Sequence, residues 1–241
     1  MTAILLPTPL VETSLVLRAR RRAVFAAEKK RLVRFTGPSG AGKTTAAEDA
    51  ADWVEAQLGI RTVPLTVPFR PAPKEISVRI CQALTGVSPS MSGYELSDHV
   101  VELLRRHECL FLFDEAQHLG LGGMEQLKYL WERQRFGALL VGDTRLRALL
   151  AKSPQLDSRV SLGVQFELLS GDQLHEVVRT FHPAFAAAPR PALTRIERMH
   201  RGNLRRWRDT VDVLDDLVAR TGRPADLSDA QLLNALLAEF T

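Results

Sequence analysis

From Gly37 the chain reads Gly37, Pro38, Ser39, Gly40, Ala41, Gly42, Lys43 and Thr44, a complete G-x-x-x-x-G-K-[ST] phosphate loop followed by Thr45. The glycines let successive backbone N–H groups converge on phosphate oxygens. Lys43 can reach the β- and γ-phosphates, and the Thr44 hydroxyl is a ligand for Mg²⁺. A second group with chemistry lies 70 residues beyond Thr44, where the apolar run Leu110 to Phe113 ends in Asp114 and Glu115. Asp114 suits Mg²⁺, held directly or through water. Glu115 suits the base that orients and polarises water, which favours hydrolysis over transfer to a second substrate. The expected ligands are a nucleoside triphosphate and Mg²⁺, and the expected reaction is hydrolysis to the diphosphate and phosphate.

These groups can act together only if a strand delivers the loop and a helix receives it. Arg31 to Thr36 reads as that strand, and Ala47, Ala50, Ala51, Val54 and Leu58 lay an apolar stripe at helical spacing up to Gly59. Leu110 to Phe113 reads as a parallel strand covered on both faces. Thr62 to Val67 reads as another, with Pro64 demoting it towards a sheet edge. Helices are expected at about 74 to 85 and 94 to 107, a loop from Gly120 to Gly123, and a helix from Met124 to Gln134. A buried strand at Ala138 to Val141 follows, then a helix from about 144 to 152 that breaks at Ser153 and Pro154, and a fifth strand near 163 to 168. From Ser170 the texture is helical only, clearest over 203 to 219, with an Ala/Pro-rich connector from Ala184 to Pro191.

Composition fits one α/β core with a small appendage: 241 residues, of which 45% are hydrophobic. The apolar start, Ile4 to Val11, is interrupted by Pro7 and Pro9, has no basic residue before it and is too short to span a bilayer, so neither a signal peptide nor an anchor is expected. Cys81 and Cys109 have no metal-ligand spacing and form no disulfide framework, which points to a reducing cytoplasm with both thiols packed in the core. Net charge is only +4, yet Arg18, Arg20, Arg21, Arg22, Lys29, Lys30, Arg31 and Arg34 crowd one stretch against Glu28. Its apolar stripe implies a packed helix with Arg18, Arg21, Arg22 and Lys29 outward, either a solvated face or one that meets phosphate backbones.

The order of phosphate loop, Asp-Glu pair, strand ending in a polar residue, Arg159 and a helical lid carrying an Arg resembles an AAA+ ATPase. More narrowly, the run Asp114, Glu115, Ala116, Gln117, His118, Leu119, then a helix, then Leu140 to Leu146, is similar to the target-selecting ATPases of DNA transposons, the Mu B, TnsC and TniB group. ATPases of secretion systems share the Asp-Glu-Ala-Gln run. The resemblance makes Gly37 to Thr45 the Walker A loop and Asp114 with Glu115 the Walker B pair. It makes Arg159 an arginine finger for a neighbouring subunit and Arg205, in the run Gly202 to Arg205, the lid's sensor 2. The fourth strand departs from the pattern, because Asp143 stands where sensor 1 is usually Asn, Thr or Ser. Either Thr144 takes that role or hydrolysis is slow, since a carboxylate near the γ-phosphate repels it. Two plainer readings stay open. Arg159 could pair with Asp157 or Glu167, and Arg205 could be ordinary surface beside Arg201, Arg206 and Arg208. His118, lacking a partner at ligand spacing, reads as a packing residue.

The resemblance implies an N-terminal segment with a basic helix (1–30), a nucleotide-binding core with a five-stranded parallel sheet (31–169) and a helical lid (170–241). With 36 residues after Arg205, no winged-helix domain is expected, so double-stranded DNA would be held by the ATPase body. The family's geometry nominates Arg70, Lys74 and Lys128, contacting phosphates without reading sequence. The implied function is polymerisation on duplex DNA as a filament or ring, with ATPase activity stimulated there, to mark a target and recruit a transposase. The alternatives are a secretion-system ATPase that needs no DNA, a helicase loader, although those usually carry Asp-Asp at this position, and an interaction protein with a dead nucleotide site.

Overall fold

The computed structural model describes residues 10–160 and 162–240; most of the Ile4–Val11 run lies outside them. Uniformly apolar runs need cover on both faces and become inner strands of one sheet, whose two edge strands are partly exposed. The strands are β1 (Leu32–Thr36), β2 (Arg61–Thr66), β3 (Cys109–Asp114), β4 (Gly137–Gly142) and β5 (Leu162–Gln165). They pair in the order β2-β3-β4-β1-β5, every pair parallel. The edge position foreseen for the Pro64 strand is the observed one: β2 pairs only with β3, Pro64 opposite Leu112. An edge strand tolerates the missing N–H that a central strand would not.

The chain forms two compact units. The first comprises Ser14–Pro38 and Lys43–Phe166; the second gathers Ser39–Gly42 with the residues from Glu167 onward. In the first unit, α1 (Ser14–Lys29) and α2 (Lys43–Leu58) pack on each other and on the sheet. The basic stretch is therefore part of the core unit: Ala19, Ala23, Ala26 and Ala27 are buried, and Arg20 grips Asp49 through Nε at 2.7 Å and Nη2 at 2.9 Å. Arg18, Arg21 and Lys29 are exposed and Arg22 is half-buried.

The other face of the sheet carries α3 (Glu75–Thr85), α4 (Gly93–Arg106), α5 (Gly120–Arg133), α6 (Thr144–Ala151) and the single turn α7 (Pro154–Asp157). Their apolar stripes close over Leu32, Phe111, Phe113, Ala138 and Leu140. Trp131 is fully buried there, its indole N–H shared between the carbonyls of Lys30 at 3.1 Å and Phe136 at 3.0 Å. The expectation of a loop at Gly120 to Gly123 is corrected: α5 begins at Gly120, preceded by a 3₁₀ turn over Ala116–Leu119. Gly122 and Gly123 serve close packing, because a Cβ on Gly122 would stand 2.8 Å from Pro73 Cγ and one on Gly123 3.2 Å from Leu119 Cβ.

The second unit consists of α8 (Gly171–Arg179), α9 (Pro183–Ala187), α10 (Arg190–His200), α11 (Leu204–Thr221) and α12 (Ala230–Ala238). Its core gathers Leu174, Phe185, Leu193, Ile196, Trp207 and Leu214. The connector read at Ala184 to Pro191 is also corrected. Five of its residues fall in or beside α9, and Pro191 opens α10, where the missing N–H is one the first turn leaves unbonded anyway. Asn203 caps α11, its Oδ1 accepting from the N–H of Arg205 at 3.1 Å and, at 3.4 Å, of Arg206.

Candidate nucleotide site

The phosphate loop leaves β1 where the neighbouring chain is close. Phe166 N–H donates to Thr36 O at 2.7 Å, and a Cβ on Gly37 would lie 2.9 Å from Phe166 Cβ, so only glycine fits. At the far side of the loop α2 starts at Lys43, presenting unbonded N–H groups and the positive end of its dipole to whatever the loop encloses. Lys43 Nζ donates to Pro38 O at 2.8 Å, which folds the side chain back along the loop. In the second unit, Leu204 N–H donates to Gly40 O at 2.9 Å, and a Cβ on Gly40 would collide with the Asn203 side chain.

The end of β3 brings Asp114 against Thr44. Thr44 Oγ1 donates to Asp114 Oδ2 at 3.1 Å, and Oδ1 accepts the N–H of Glu115 at 2.8 Å. Negative charge concentrates there, and Glu48 registers it: burial pushes its carboxyl up, and the charges of Asp114 and Asp52 push it further. A hydroxyl and a carboxylate converging in a negative field form the hard-oxygen donor set that Mg²⁺ takes, with phosphate and water completing its shell. Thr44 and Asp114 would hold that ion, which when bound draws charge from the phosphates.

Glu115 is exposed and stands in the left-handed region, φ 55 and ψ 35. For a non-glycine residue that conformation costs about 1–2 kcal/mol. Its carboxylate accepts a hydrogen bond from Gln117 Nε2, while Gln117 Oε1 accepts from the N–H of Asp143 at 3.2 Å. Asp143 is therefore no loose carboxylate. Its Oδ1 caps α6 by accepting from Arg145 N–H at 2.8 Å, and its Oδ2 accepts from Arg145 Nε at 2.8 Å. Burial pushes Asp143 up, but the Arg145 hydrogen bonds, with the charges of Arg145 and Lys43, outweigh it and leave the carboxyl below its ordinary value. Thr144 is exposed at the first turn of α6.

Arg159 lies farther along the same unit, after α7. Its partner is neither Asp157 nor Glu167: Nη2 pairs with Glu132 Oε1 at 2.6 Å, and Nη1 donates to Gln155 O at 2.6 Å. Asp157 faces Arg34 instead, at 3.7 Å, and Arg34 Nη1 donates to Val160 O at 2.7 Å. Arg34 thus runs from the strand that delivers the phosphate loop to the segment carrying Arg159, crossing β5 at Gly163, where a Cβ would meet Arg34 Cγ at 2.7 Å. Arg205 occupies the first turn of α11 in the second unit.

The three cations nominated for DNA differ in their freedom. Arg70 has φ 49 and lies over the Phe69 ring at 5.1 Å, while Phe69 is 70% exposed and packs edge-on against His118 at 5.4 Å. Lys74 precedes α3, exposed. Lys128 is engaged: its side chain is 15% exposed and its ammonium meets Glu125 at 2.8 Å and Gln155 at 2.7 Å.

Sequence reasoning passed over Gln117, Arg145 and Arg34. Gln117 carried a visible signal, a long amide two residues after the candidate base. The partners of Arg34 and Arg159 depend on how β5 and α7 return to β1 and α5, which spacing alone does not show.

An open parallel sheet with helices on both faces, a glycine-rich loop opening a helix and two carboxylates at the end of β3, separated from the loop's own strand by β4, define a P-loop nucleotide-binding protein. The chain belongs to the AAA domain family, whose model matches residues 26–150, a little over half of it. A protein of Staphylococcus aureus described as a potential ATP-binding protein is 23% identical over 167 residues, covering 59% of this chain; the chain spans 61% of that relative's length. Among solved structures, the fold is similar to that of the Aeropyrum pernix ORC2 protein in its ADPNP-ADP complexes, with TM-score 0.75 and 17% identity over 96% of this chain and 68% of that one. It is also similar to that of Drosophila ORC bound to DNA, with TM-score 0.71 and 15% identity over 98% of this chain and 63% of that one. Among the described residues no helix is long and apolar enough to cross a membrane.

Proposed function

We propose that this chain is an ATP-dependent DNA-binding ATPase of the cytoplasm that assembles on duplex DNA, marks a target and recruits or stimulates a transposase. The observation that carries the reading is the convergence of Thr44 and Asp114 at 3.1 Å, beside Lys43 and Glu115, at the carboxyl edge of a parallel sheet. In this reading Gly37 to Thr45 cradle the triphosphate and Lys43 exchanges Pro38 O for phosphate oxygen. Thr44 and Asp114 position Mg²⁺, and Glu115 accepts a proton from the attacking water. The sensor 1 role falls to Thr144, since Asp143 is committed to α6 and Arg145. Arg159 supplies positive charge to a neighbouring subunit's γ-phosphate, and Arg205 acts as sensor 2.

Duplex DNA as ligand is supported by the fold's likeness to a structure described as bound to DNA and by the exposed cations Arg70 and Lys74 on a stiff loop. Lys128 would contribute only on leaving Glu125. The transposition role rests on the wording of the Asp114 to Leu119 and Leu140 to Leu146 runs. Replication initiation is a second reading, favoured by the fold's likeness to domain III of the Thermotoga maritima replication initiation protein DnaA, with TM-score 0.67 and 20% identity. Strand transfer into duplexes preloaded with the protein separates the two.

The test is affinity for duplex DNA, measured against salt in the presence of a non-hydrolysable ATP analogue. Arg70→Ala and Lys74→Ala should each weaken binding to every duplex sequence alike and lower the slope of log affinity against log salt by about one unit. A loss confined to one sequence would show base readout and overturn the assignment of these contacts.

A further inference from the structure

The backbone around Glu115 is fixed by contacts separate from those of its carboxylate. Glu115 N–H is bound by Asp114 Oδ1 at 2.8 Å, and Glu115 O accepts the N–H of His118 at 2.9 Å, which holds the strained left-handed residue in place. What meets the carboxylate itself is the Gln117 amide, and the chemistry of its two neighbours orients it. A carboxylate only accepts, and a peptide N–H only donates. Nε2 must therefore face Glu115 and Oε1 must face Asp143 N, as found. Room for this arrangement comes from Gly142, where a Cβ would stand 2.5 Å from Gln117 Oε1. The other end of the amide rests on a rigid support, because Asp143 is the capping residue of α6 and is clamped by Arg145.

We infer that Gln117 is the positioning residue of the hydrolytic base: it occupies one oxygen of Glu115, leaves the other free to accept from water, and ties the carboxylate to the junction of β4 and α6. The inference rests on reading Glu115 as that base. Glutamine meets both demands with one side chain. Glutamate at 117 would keep an acceptor for Asp143 N–H but set a second carboxylate against Glu115, and methionine would offer neither donor nor acceptor of useful strength.

The experiment compares wild type, Gln117→Glu and Gln117→Met in three measurements: steady-state ATP hydrolysis, affinity for a fluorescent ATP analogue, and hydrogen exchange at the Asp143 amide. Both variants should lose kcat by roughly 10- to 100-fold, the scale of a base misplaced by about an ångström, with KM and nucleotide affinity within about twofold. Exchange at Asp143 should quicken in Gln117→Met and stay slow in Gln117→Glu. Wild-type kcat in Gln117→Glu overturns the inference. So does an equal loss of kcat and nucleotide affinity, which would show a merely structural role. If wild type itself fails to hydrolyse ATP, the reading of Glu115 falls instead. The link from Gln117 to Asp143 is then judged by exchange alone, and unchanged exchange in Gln117→Met overturns it.

Discussion

Arg159→Ala is expected to bind ATP as wild type does and to hydrolyse it about 10³-fold more slowly, because a finger acting in trans contributes on that order while lying outside its own pocket. In this chain the Arg159 guanidinium is held by Glu132 at 2.6 Å and by the Gln155 carbonyl. Both partners can be exchanged, since the side chains of Arg159 and Glu132 are each about a third exposed and an ion pair so placed contributes little to stability. A γ-phosphate with its higher charge would compete for the same fork of donors. Mixing supplies the decisive comparison. Glu115→Gln protein carries an intact Arg159 and is expected to bind nucleotide and DNA without turnover, so adding it to Arg159→Ala protein on DNA should restore part of the phosphate release at shared interfaces. Hydrolysis by Arg159→Ala alone at the wild-type rate would remove the finger assignment.

Lys43 and Glu115 should separate binding from turnover. On the proposed reading Lys43 meets the β- and γ-phosphates, and its removal should abolish nucleotide binding together with nucleotide-dependent DNA binding. Glu115→Gln keeps the size and the hydrogen-bonding shape of the side chain but removes the base, so both kinds of binding should persist while turnover falls by about 10²-fold or more. The two variants are read in parallel by nucleotide fluorescence, DNA co-sedimentation and phosphate release. DNA binding by Lys43→Ala equal to that of wild type, with and without ATP, would break the proposed coupling.

The parts of this molecule that were legible in its sequence are those fixed locally. The phosphate loop is contiguous, so its glycines, Lys43 and Thr44 announce themselves; Asp114 and Glu115 end an apolar run too uniform for anything but a buried strand. Pro64 marked the sheet edge because a missing N–H has few places to go. What stayed hidden was set by distant packing. Gly122 and Gly123 read as a loop, yet they are small because Pro73, Leu119 and Ile76 press on α5. Asp143 read as a surplus charge facing phosphate, yet its position at the start of α6 lets it cap the helix and bind Arg145. Arg159 read as a finger for a neighbouring subunit, with pairing to Asp157 or Glu167 as the plainer alternative; Arg34 reaches across Gly163 to Asp157 and Val160, and Arg159 pairs with Glu132.

If nucleotide binding drives assembly on duplex DNA, electron microscopy of the protein with duplex DNA and a non-hydrolysable ATP analogue will show it. Regular filaments or rings are expected on the DNA with the analogue, and none with Lys43→Ala protein or without nucleotide. Monomers that leave the DNA bare under saturating analogue, or assemblies that form equally well without it, would rule out nucleotide-driven assembly.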